Sequence, residues 1–275
     1  MQSIEVVRVA GGVGNHVRDV AASEEPLEIR LHGSSFVVTM RTPGADRELA
    51  AGFLLSEHII YELDDLDTIK HSTDVGTVGD GNILNVTLTG EASARAERAL
   101  ARRRLVTTTS ACGVCGRQSI DDLIQNVPRL DASWSIQSDV ITTLPARLRP
   151  AQAVFDETGG LHAAGLFDPD GTLVAAAEDV GRHNAVDKVI GSQLLTDRFP
   201  LGARLLFVSG RTSFEIVQKA VVAGIPLVAA VSAPSSLAID LARRANATLL
   251  GFVRGDAFNV YTGEERVSVH ETQPQ

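Results

Sequence analysis

The sequence predicts an α/β protein whose second half contains a mixed sheet, with a smaller α+β region in front of it. After about residue 130, apolar strand-like runs alternate with helix-length segments, an order that favours right-handed crossovers and parallel strands. Before that point, two strands, a helix and a further strand lead into an arginine-rich helical segment. We therefore expect an N-terminal domain over residues 1–130 and a C-terminal domain over residues 131–275.

The first domain opens with a strand pattern. Leu27, Ile29 and Leu31 alternate with polar residues, which is the period of a half-buried strand. Thr42-Pro43-Gly44 breaks the chain after a second strand. The further predicted elements are a strand over 36–40, a helix ending near Ser56, a strand over 84–88, a helical segment over 92–105 and a helix from about Ser119.

A hairpin opens the second domain. Residues 162–167 and 172–176 predict two strands joined by Asp168-Pro169-Asp170-Gly171, a strong turn sequence. Because a hairpin is antiparallel, it makes the expected sheet mixed. The later predicted elements are helix 182–194, strand 204–208, helix 213–223, strand 226–231, helix 235–245 and strand 248–253.

Composition limits the classes of function. Lys and Arg number 25 against 34 Asp and Glu, and the net charge of −9 argues against nucleic acid or an anionic membrane as the main ligand. No apolar run approaches the roughly 20 residues of a membrane helix, and residues 1–19 lack a signal-peptide pattern. We expect a cytoplasmic protein, and in that reducing compartment a Cys-x-x-Cys pair favours catalysis, redox chemistry or metal binding.

The chain has only two cysteines, and they stand together. Cys112 and Cys115 lie between glycines in the segment 110–117. The thiolate is the reactive form, and nearby positive charge lowers the pKa of a thiol. Arginines crowd both flanks of the pair, although they could equally form a solvated helix face. They are Arg95, Arg98, Arg102, Arg103, Arg104 and Arg117.

Three chemistries fit this pair. A structural zinc site needs four protein ligands, so two histidines or a second subunit would have to complete it. Thioredoxin-like disulfide exchange requires a strand-to-helix placement, whereas this pair follows an arginine-rich helix. In persulfide transfer, one cysteine accepts a sulfur atom and passes it on. A loop that merely holds two thiols is the remaining alternative.

Polar clusters follow the predicted strands of the second half. Ser209, Gly210 and Arg211 follow one strand and open a helix, where free N–H groups, a small residue and a guanidinium favour an anion. Segment 232–236 repeats this arrangement after the next strand, so we expect a shared crevice at the carboxyl ends. An ordinary capped helix start is the alternative for each turn.

A further polar segment runs from residue 178 to residue 188. Arg182 and His183 lie in it, and the four-residue spacing predicts that His183 and Asp187 share a helix face. A capped helix with a surface ion pair is the alternative. His162 invites comparison with zinc deaminases, but Ala164 stands where their acid–base Glu would be, so deaminase chemistry is not expected.

Longer motifs resemble a known family. Met40-Arg41-Thr42-Pro43-Gly44, segment 48–54 and the cysteine segment 110–116 are similar to the formate dehydrogenase accessory sulfurtransferase family, FdhD. The similar stretches of the second half are 158–164, 178–191, 209–211, 213–215, 218–220, 223–226 and 232–236. The resemblance extends from about residue 25 to about residue 261.

The resemblance implies a sulfur relay. A cysteine desulfurase would deliver persulfide sulfur to Cys112, with Cys115 assisting or substituting, and the sulfur would pass to the molybdenum (or tungsten) bis(guanine dinucleotide) cofactor of formate dehydrogenase. That cofactor would be a bound substrate, and neither a permanently bound cofactor nor a metal site is expected. The residues expected to bind it are Phe252, Val253, Arg254, Gly255, Asp256 and Ala257 from the resemblance, and Ser209, Gly210, Arg211, Arg182 and His183 at the strand ends.

The resemblance also implies a homodimer, and a C-terminal three-layer α-β-α domain similar in fold to cytidine deaminases. Two rival functions stay open. One is a non-enzymatic chaperone of the molybdenum cofactor whose cysteines hold zinc between subunits, and the other is a thiol oxidoreductase with a cycling disulfide.

Overall fold

The computed structural model describes residues 1–72, 81–103 and 127–269. The strands within these ranges are β1 (Gln2–Ala10), β2 (Val13–Ala21), β3 (Glu25–Leu31), β4 (Ser34–Arg41), β5 (Leu66–His71), β6 (Ile83–Leu88), β7 (Ile136–Gln137), β8 (His162–Phe167), β9 (Leu173–Asp179), β10 (Leu205–Val208), β11 (Leu227–Ala230), β12 (Thr248–Arg254), β13 (Ala257–Thr262) and β14 (Val267–Ser268). The α-helices are α1 (Asp46–Ser56), α2 (Gly90–Arg103), α3 (Ser138–Leu148), α4 (Ala153–Thr158), α5 (Arg182–Leu195), α6 (Phe214–Val222) and α7 (Ser236–Arg244).

The main sheet has six strands in the order β13-β12-β11-β10-β8-β9. Strands β10, β11 and β12 are parallel, while the β8–β9 hairpin pairs with them in the antiparallel sense through β8. The predicted mixed sheet is therefore confirmed. Strand β13, which returns antiparallel along β12, was not predicted.

Helices cover both faces of this sheet. Leu206, Val208 and Val228 pack in the cluster that contains the buried faces of α5, α6 and α7. Leu205 and Phe207, one residue out of step, pack in the cluster that contains α3. The alternation places successive side chains on opposite faces, and the result is three layers. The likeness to cytidine deaminases remains a prediction.

A four-stranded sheet in the order β4-β3-β6-β5 occupies the first half. Leu27, Ile29 and Leu31 point into its buried side, as their alternation predicts. Helix α1 packs between this sheet and the second half of the chain. One hydrophobic cluster contains residues from these strands, from α1 and from the layer of helices α5–α7. The predicted domain boundary at residue 130 remains a prediction.

Glycines allow α1 and α5 to pack closely. A Cβ at Gly52 would lie 2.0 Å from the carbonyl oxygen of Asp187, and one at Gly191 would lie 1.9 Å from that of Glu48. No side chain can occupy either position without separating the helices.

Several elements were missed from the sequence. The exposed hairpin β1–β2 turns at Gly11 and Gly12, which both have positive φ. Helices α3 and α4 and strand β5 were also missed. The cysteine segment and the helix predicted from Ser119 lie outside the described residues. In the described part of the chain, no helix is both long and apolar enough to cross a membrane.

Candidate functional site

Three loops meet at the carboxyl ends of β10, β11 and β12. The backbone N–H of Thr212 donates to Ala233 O (3.2 Å), and that of Ser235 donates to Thr212 O (3.0 Å). The backbone N–H of Phe252 donates to Ser232 O (3.3 Å). Loops 209–213 and 232–236 therefore lie side by side, as predicted, because parallel neighbouring strands end at one edge of the sheet.

A cavity of about 490 Å³ opens beside these strand ends. The sheet contributes His162, Ser209 and Val231 to its lining. Ser209 is fixed in place, since its hydroxyl accepts from the Ala163 N–H (2.9 Å) and its own N–H donates to Ala163 O (2.9 Å). Of the two loops expected to form a crevice, only loop 209–213 lines this cavity, through Ser209, and the shared crevice remains a prediction.

The opposite lining comes from α3, α4 and the turn between them. The Arg149 guanidinium lies 4.9 Å from the centre of the Phe155 ring and forms an ion pair with Asp156. Gln152 is buried and also lines the cavity. A cation, an aromatic ring and a polar residue together can contact a phosphate and a flat heterocycle.

Positive charge collects beside His162. Burial, followed by the charges of Arg182 and Arg211, lowers the pKa of His162, so its ring is neutral at neutral pH. Gly210 keeps this corner open, because a Cβ there would lie 3.3 Å from His162 Nδ1. The buried Arg182 Nε and Thr212 Oγ1 lack a hydrogen-bond partner among the described residues. A buried donor without a partner is costly unless a ligand or water meets it.

A second polar cluster lies at the start of α6, where Ser213 is the N-cap residue. His183 Nε2 lies 3.1 Å from Ser213 Oγ and 3.2 Å from Glu215 Oε2. Burial, reinforced by Arg182 and Lys219, lowers the pKa of His183 to about 3. Burial raises the pKa of Glu215 to about 7. In weakly acidic solution both side chains are therefore neutral, and they lie in close polar contact.

The other face-sharing residue of α5 is Asp187. Its carboxylate accepts from Lys219 Nζ on α6 (2.8 and 2.9 Å) and from Ser56 Oγ (3.1 Å). His183 and Asp187 therefore both meet α6, which confirms that they share a helix face. Lys219 is also 5.7 Å from the centre of the Phe53 ring.

Segment 40–44 is held against the start of α5 by a buried clamp. Asp179 and Lys188 form an ion pair (Oδ2 to Nζ, 2.7 Å), and both side chains are almost fully buried. Lys188 also donates to Thr42 O (2.8 Å), while the Thr42 N–H donates to Asp179 (3.1 Å). Asn184 Nδ2 donates to Met40 O (2.8 Å). The clamp joins two motifs that are more than 130 residues apart.

The stretch from Phe252 to Ala257 spans the end of β12 and the turn into β13. Phe252 is 40% exposed with φ of 55°, and Arg254 Nε donates to Val231 O (2.9 Å), so Arg254 reaches the loop that lines the cavity. Val253 is fully buried, which leaves only its backbone available to a ligand. Gly255 has φ of 58° and, with Asp256, forms the turn before Ala257.

The predicted sulfur site cannot be compared with this geometry, since Cys112 and Cys115 lie outside the described residues. Sequence reasoning missed Arg149, Gln152 and Phe155, and it missed Glu215 as a site residue. No pattern points to the first three, because α3, α4 and the turn between them were not predicted. Among the described residues, no three His, Cys, Asp or Glu side chains are grouped to hold a metal ion.

Comparisons with known proteins indicate the same family over almost the whole chain. The FdhD/NarQ family model matches residues 22–268. The sulfur carrier protein FdhD of Streptomyces avermitilis is 47% identical over 98% of this chain and 97% of its own, and that of Anaeromyxobacter dehalogenans is 50% identical over 93% and 91%. A crystal structure of a candidate formate dehydrogenase accessory protein from Desulfotalea psychrophila has a TM-score of 0.76 at 24% identity, covering 97% of this chain and 99% of that one. That structure supports the mixed α/β fold.

Proposed function

The chain belongs to the FdhD/NarQ family, and from that premise we propose that it is a sulfur carrier that transfers sulfur during the maturation of formate dehydrogenase. One observation supports this most strongly. The chain is 47% and 50% identical in sequence to two proteins named sulfur carrier protein, over nearly the full length of both chains. A Cys-x-x-Cys pair in a chain with no other cysteine supplies suitable thiols.

The proposed first step is thiol–persulfide exchange. The Cys112 thiolate attacks the outer sulfur of a persulfide on a cysteine desulfurase. A new sulfur–sulfur bond forms at Cys112 while the bond to the desulfurase cysteine breaks, and the desulfurase departs as a thiolate. No net oxidation occurs. Cys115 assists or substitutes in this role.

The proposed acceptor is the molybdenum bis(guanine dinucleotide) cofactor, bound as a substrate. The strand-end crevice supports this proposal, because Arg149, Arg182, Arg211 and Arg254 surround it or reach its loops, and a dinucleotide pyrophosphate requires such cations. Phe155 also lines the cavity with the Arg149 guanidinium stacked over its ring, and this pair offers a flat surface to a guanine base. We also propose that formate dehydrogenase is a partner of this protein. We further propose that the protein is a homodimer located in the cytoplasm, and that its C-terminal domain is similar in fold to cytidine deaminases.

A persulfide assay tests the first step. The reduced protein is incubated with a cysteine desulfurase and free cysteine, and intact and peptide masses are measured. We expect a gain of one sulfur, about 32 Da and reversed by a reducing thiol, on the peptide that carries Cys112. If Cys115 only assists, the Cys112→Ala protein gains none, whereas a gain in that variant would show that Cys115 substitutes. Cys115→Ala serves as the matched variant.

The same variants give a functional result. Cys112→Ala should fold normally and leave formate dehydrogenase inactive, whereas full dehydrogenase activity would contradict the carrier role of Cys112. Zinc bound by the thiols, with no sulfur gained, would favour the cofactor chaperone instead. A disulfide that cycles during turnover, with equal loss from either substitution, would favour the oxidoreductase.

A further inference from the structure

The contact between His183, Ser213 and Glu215 has an unusual geometry, because one ring nitrogen faces two oxygens. His183 Nε2 lies within 3.2 Å of both Ser213 Oγ and Glu215 Oε2. A neutral ring nitrogen either carries the ring proton and donates, or exposes its lone pair and accepts. The proton on the Glu215 carboxyl decides between these two states.

In the first state, Glu215 is protonated and donates its hydrogen to His183 Nε2. The ring then carries its proton on Nδ1. In the second state, Glu215 is ionised and can only accept, so His183 carries the proton on Nε2 and donates it to Ser213 Oγ, with the carboxylate oxygen of Glu215 3.2 Å from the same nitrogen. The second state also adds a full negative charge to a side chain that is only 13% exposed.

This charge lies at the N-terminus of α6, beside the loop 209–213. Ser213 occupies the N-cap position of that helix without a side-chain capping hydrogen bond. Among the described residues, the adjoining Thr212 is 1% exposed with an unpartnered hydroxyl, and Arg182 Nε also lacks a partner. Helix N-termini attract anions, and an anionic carboxylate beside one competes with a bound phosphate.

We propose that Glu215 is a positioning residue for an anion site formed by loop 209–213 and the start of α6. Through the His183 ring, Glu215 sets the direction of the hydrogen bond between His183 and Ser213. Through its own proton, Glu215 sets the charge beside that loop. Binding of a nucleotide diphosphate is then strongest when Glu215 is protonated. This inference rests on the proposed cofactor site, whose strand ends it concerns.

The surroundings of Glu215 allow the change between its protonated and ionised states to occur near neutral pH. Burial raises the pKa of Glu215, the charges of Asp187 and Glu57 raise it further, and those of Lys219 and Arg182 oppose them. Lys219 is largely committed to Asp187, with which it shares two hydrogen bonds. The charged and titratable groups that face the pair are Glu57 at the end of α1, Arg182 and Asp187 on α5, Lys219 on α6 and His162 on β8.

Two measurements on the full-length protein test the inference from about pH 6 to about pH 8. The first is the tautomer of His183, followed by ¹⁵N chemical shifts of its ring. The second is the affinity for GDP-mannose, whose diphosphate is a diester and carries no proton in the neutral range. Glu215→Gln keeps a hydrogen-bond donor for His183 but cannot ionise, and Glu264→Gln at an exposed site is the matched control.

We expect the ring proton of wild-type His183 to move from Nδ1 to Nε2 as the pH rises, and the affinity for GDP-mannose to fall at least about fivefold. Glu264→Gln should behave in the same way. In Glu215→Gln the proton should stay on Nδ1 and the affinity should be independent of pH. Thermal melting confirms that each variant is folded.

The inference is overturned if the affinity of the wild type does not change with pH, or if Glu215→Gln shows the same change. It is also overturned if the tautomer of His183 stays constant. If GDP-mannose binds at no pH while the tautomer still changes, the proposed cofactor site is contradicted and the Glu215–His183 proton exchange is supported.

Discussion

Two clusters of charged side chains near the start of α5 differ in how completely they are partnered. In the clamp, Asp179 accepts hydrogen bonds from Thr42, Gly181 and Asn184 and forms an ion pair with Lys188. In the strand-end cluster, Arg182 Nε and Thr212 Oγ1 have no partner among the described residues, and His162 is neutral between two arginines.

The difference separates two uses of buried polarity. A carboxylate whose lone pairs are all occupied fixes the backbone around it and has no capacity left for a ligand. Cations and hydroxyls without partners retain that capacity, and they lie beside the cavity and loops where an anion is expected. We therefore expect the clamp to contribute to stability and the strand-end cluster to contribute to the proposed anion binding.

Removing the clamp lysine should have the largest effect. Lys188→Met leaves the carboxylate of Asp179 buried without its counter-ion, and loss of one partner of a buried pair costs about 3–5 kcal/mol of unfolding free energy. Urea unfolding measures this cost. Arg243→Met in the exposed Arg243–Asp240 pair is the control, for which about 1 kcal/mol or less is expected. If both variants lost the same unfolding free energy, the buried clamp would contribute no more to stability than an exposed ion pair.

Removing a strand-end cation should affect binding more than stability. In Arg182→Gln, GDP-mannose should bind at least about tenfold more weakly, since a hydrogen bond to a charged group contributes about 1.5–3 kcal/mol. The unfolding free energy should change less than in Lys188→Met, because Arg182 Nε makes no hydrogen bond within the part of the chain that the structure describes. Isothermal titration calorimetry measures the affinity, and Arg244→Gln at an exposed position on α7 is the control. Undiminished affinity in Arg182→Gln would place the anion elsewhere.

The smallest expected effect is electrostatic and concerns His162. Because the charges of Arg182 and Arg211 both lower its pKa, Arg211→Gln should raise that pKa, and Arg182→Gln should raise it more. Proton NMR titration of the ring gives both values. Added salt should reduce the difference in the pKa of His162 between the wild type and Arg211→Gln, because Arg211 is exposed and salt screens its charge. An unchanged pKa in both variants would show that burial alone acts on His162.

Sequence patterns predicted the main sheet well where the strands are apolar and buried. Strands β8, β10, β11 and β12 are short apolar runs between turn signals, and the structure places each of them as predicted. Strand β13 is an exposed edge without a continuous apolar pattern, and α3 contains Pro145, a residue that usually interrupts a helix. The hairpin β1–β2 could have been found, because Gly11-Gly12 between alternating residues is a strong turn signal.

The site was predictable only in part, for a physical reason. Ser209, Gly210 and Arg211 follow a strand directly, so local sequence places them at the sheet edge. The clamp between Thr42 and Asp179 depends on tertiary packing across 137 residues, which no local pattern encodes. Glu215 acquires its raised pKa from burial between helices, and burial of a single polar side chain cannot be read from neighbours in sequence.

The glycine contacts between α1 and α5 limit motion. With Gly52 and Gly191 placed against backbone carbonyls of the opposite helix, sliding by one helical turn would drive larger residues into the same space. The two helices should therefore move as one rigid body, and amides at their contact should exchange hydrogen only by global unfolding. Any conformational change that accompanies the proposed sulfur transfer should then occur in segments outside this contact.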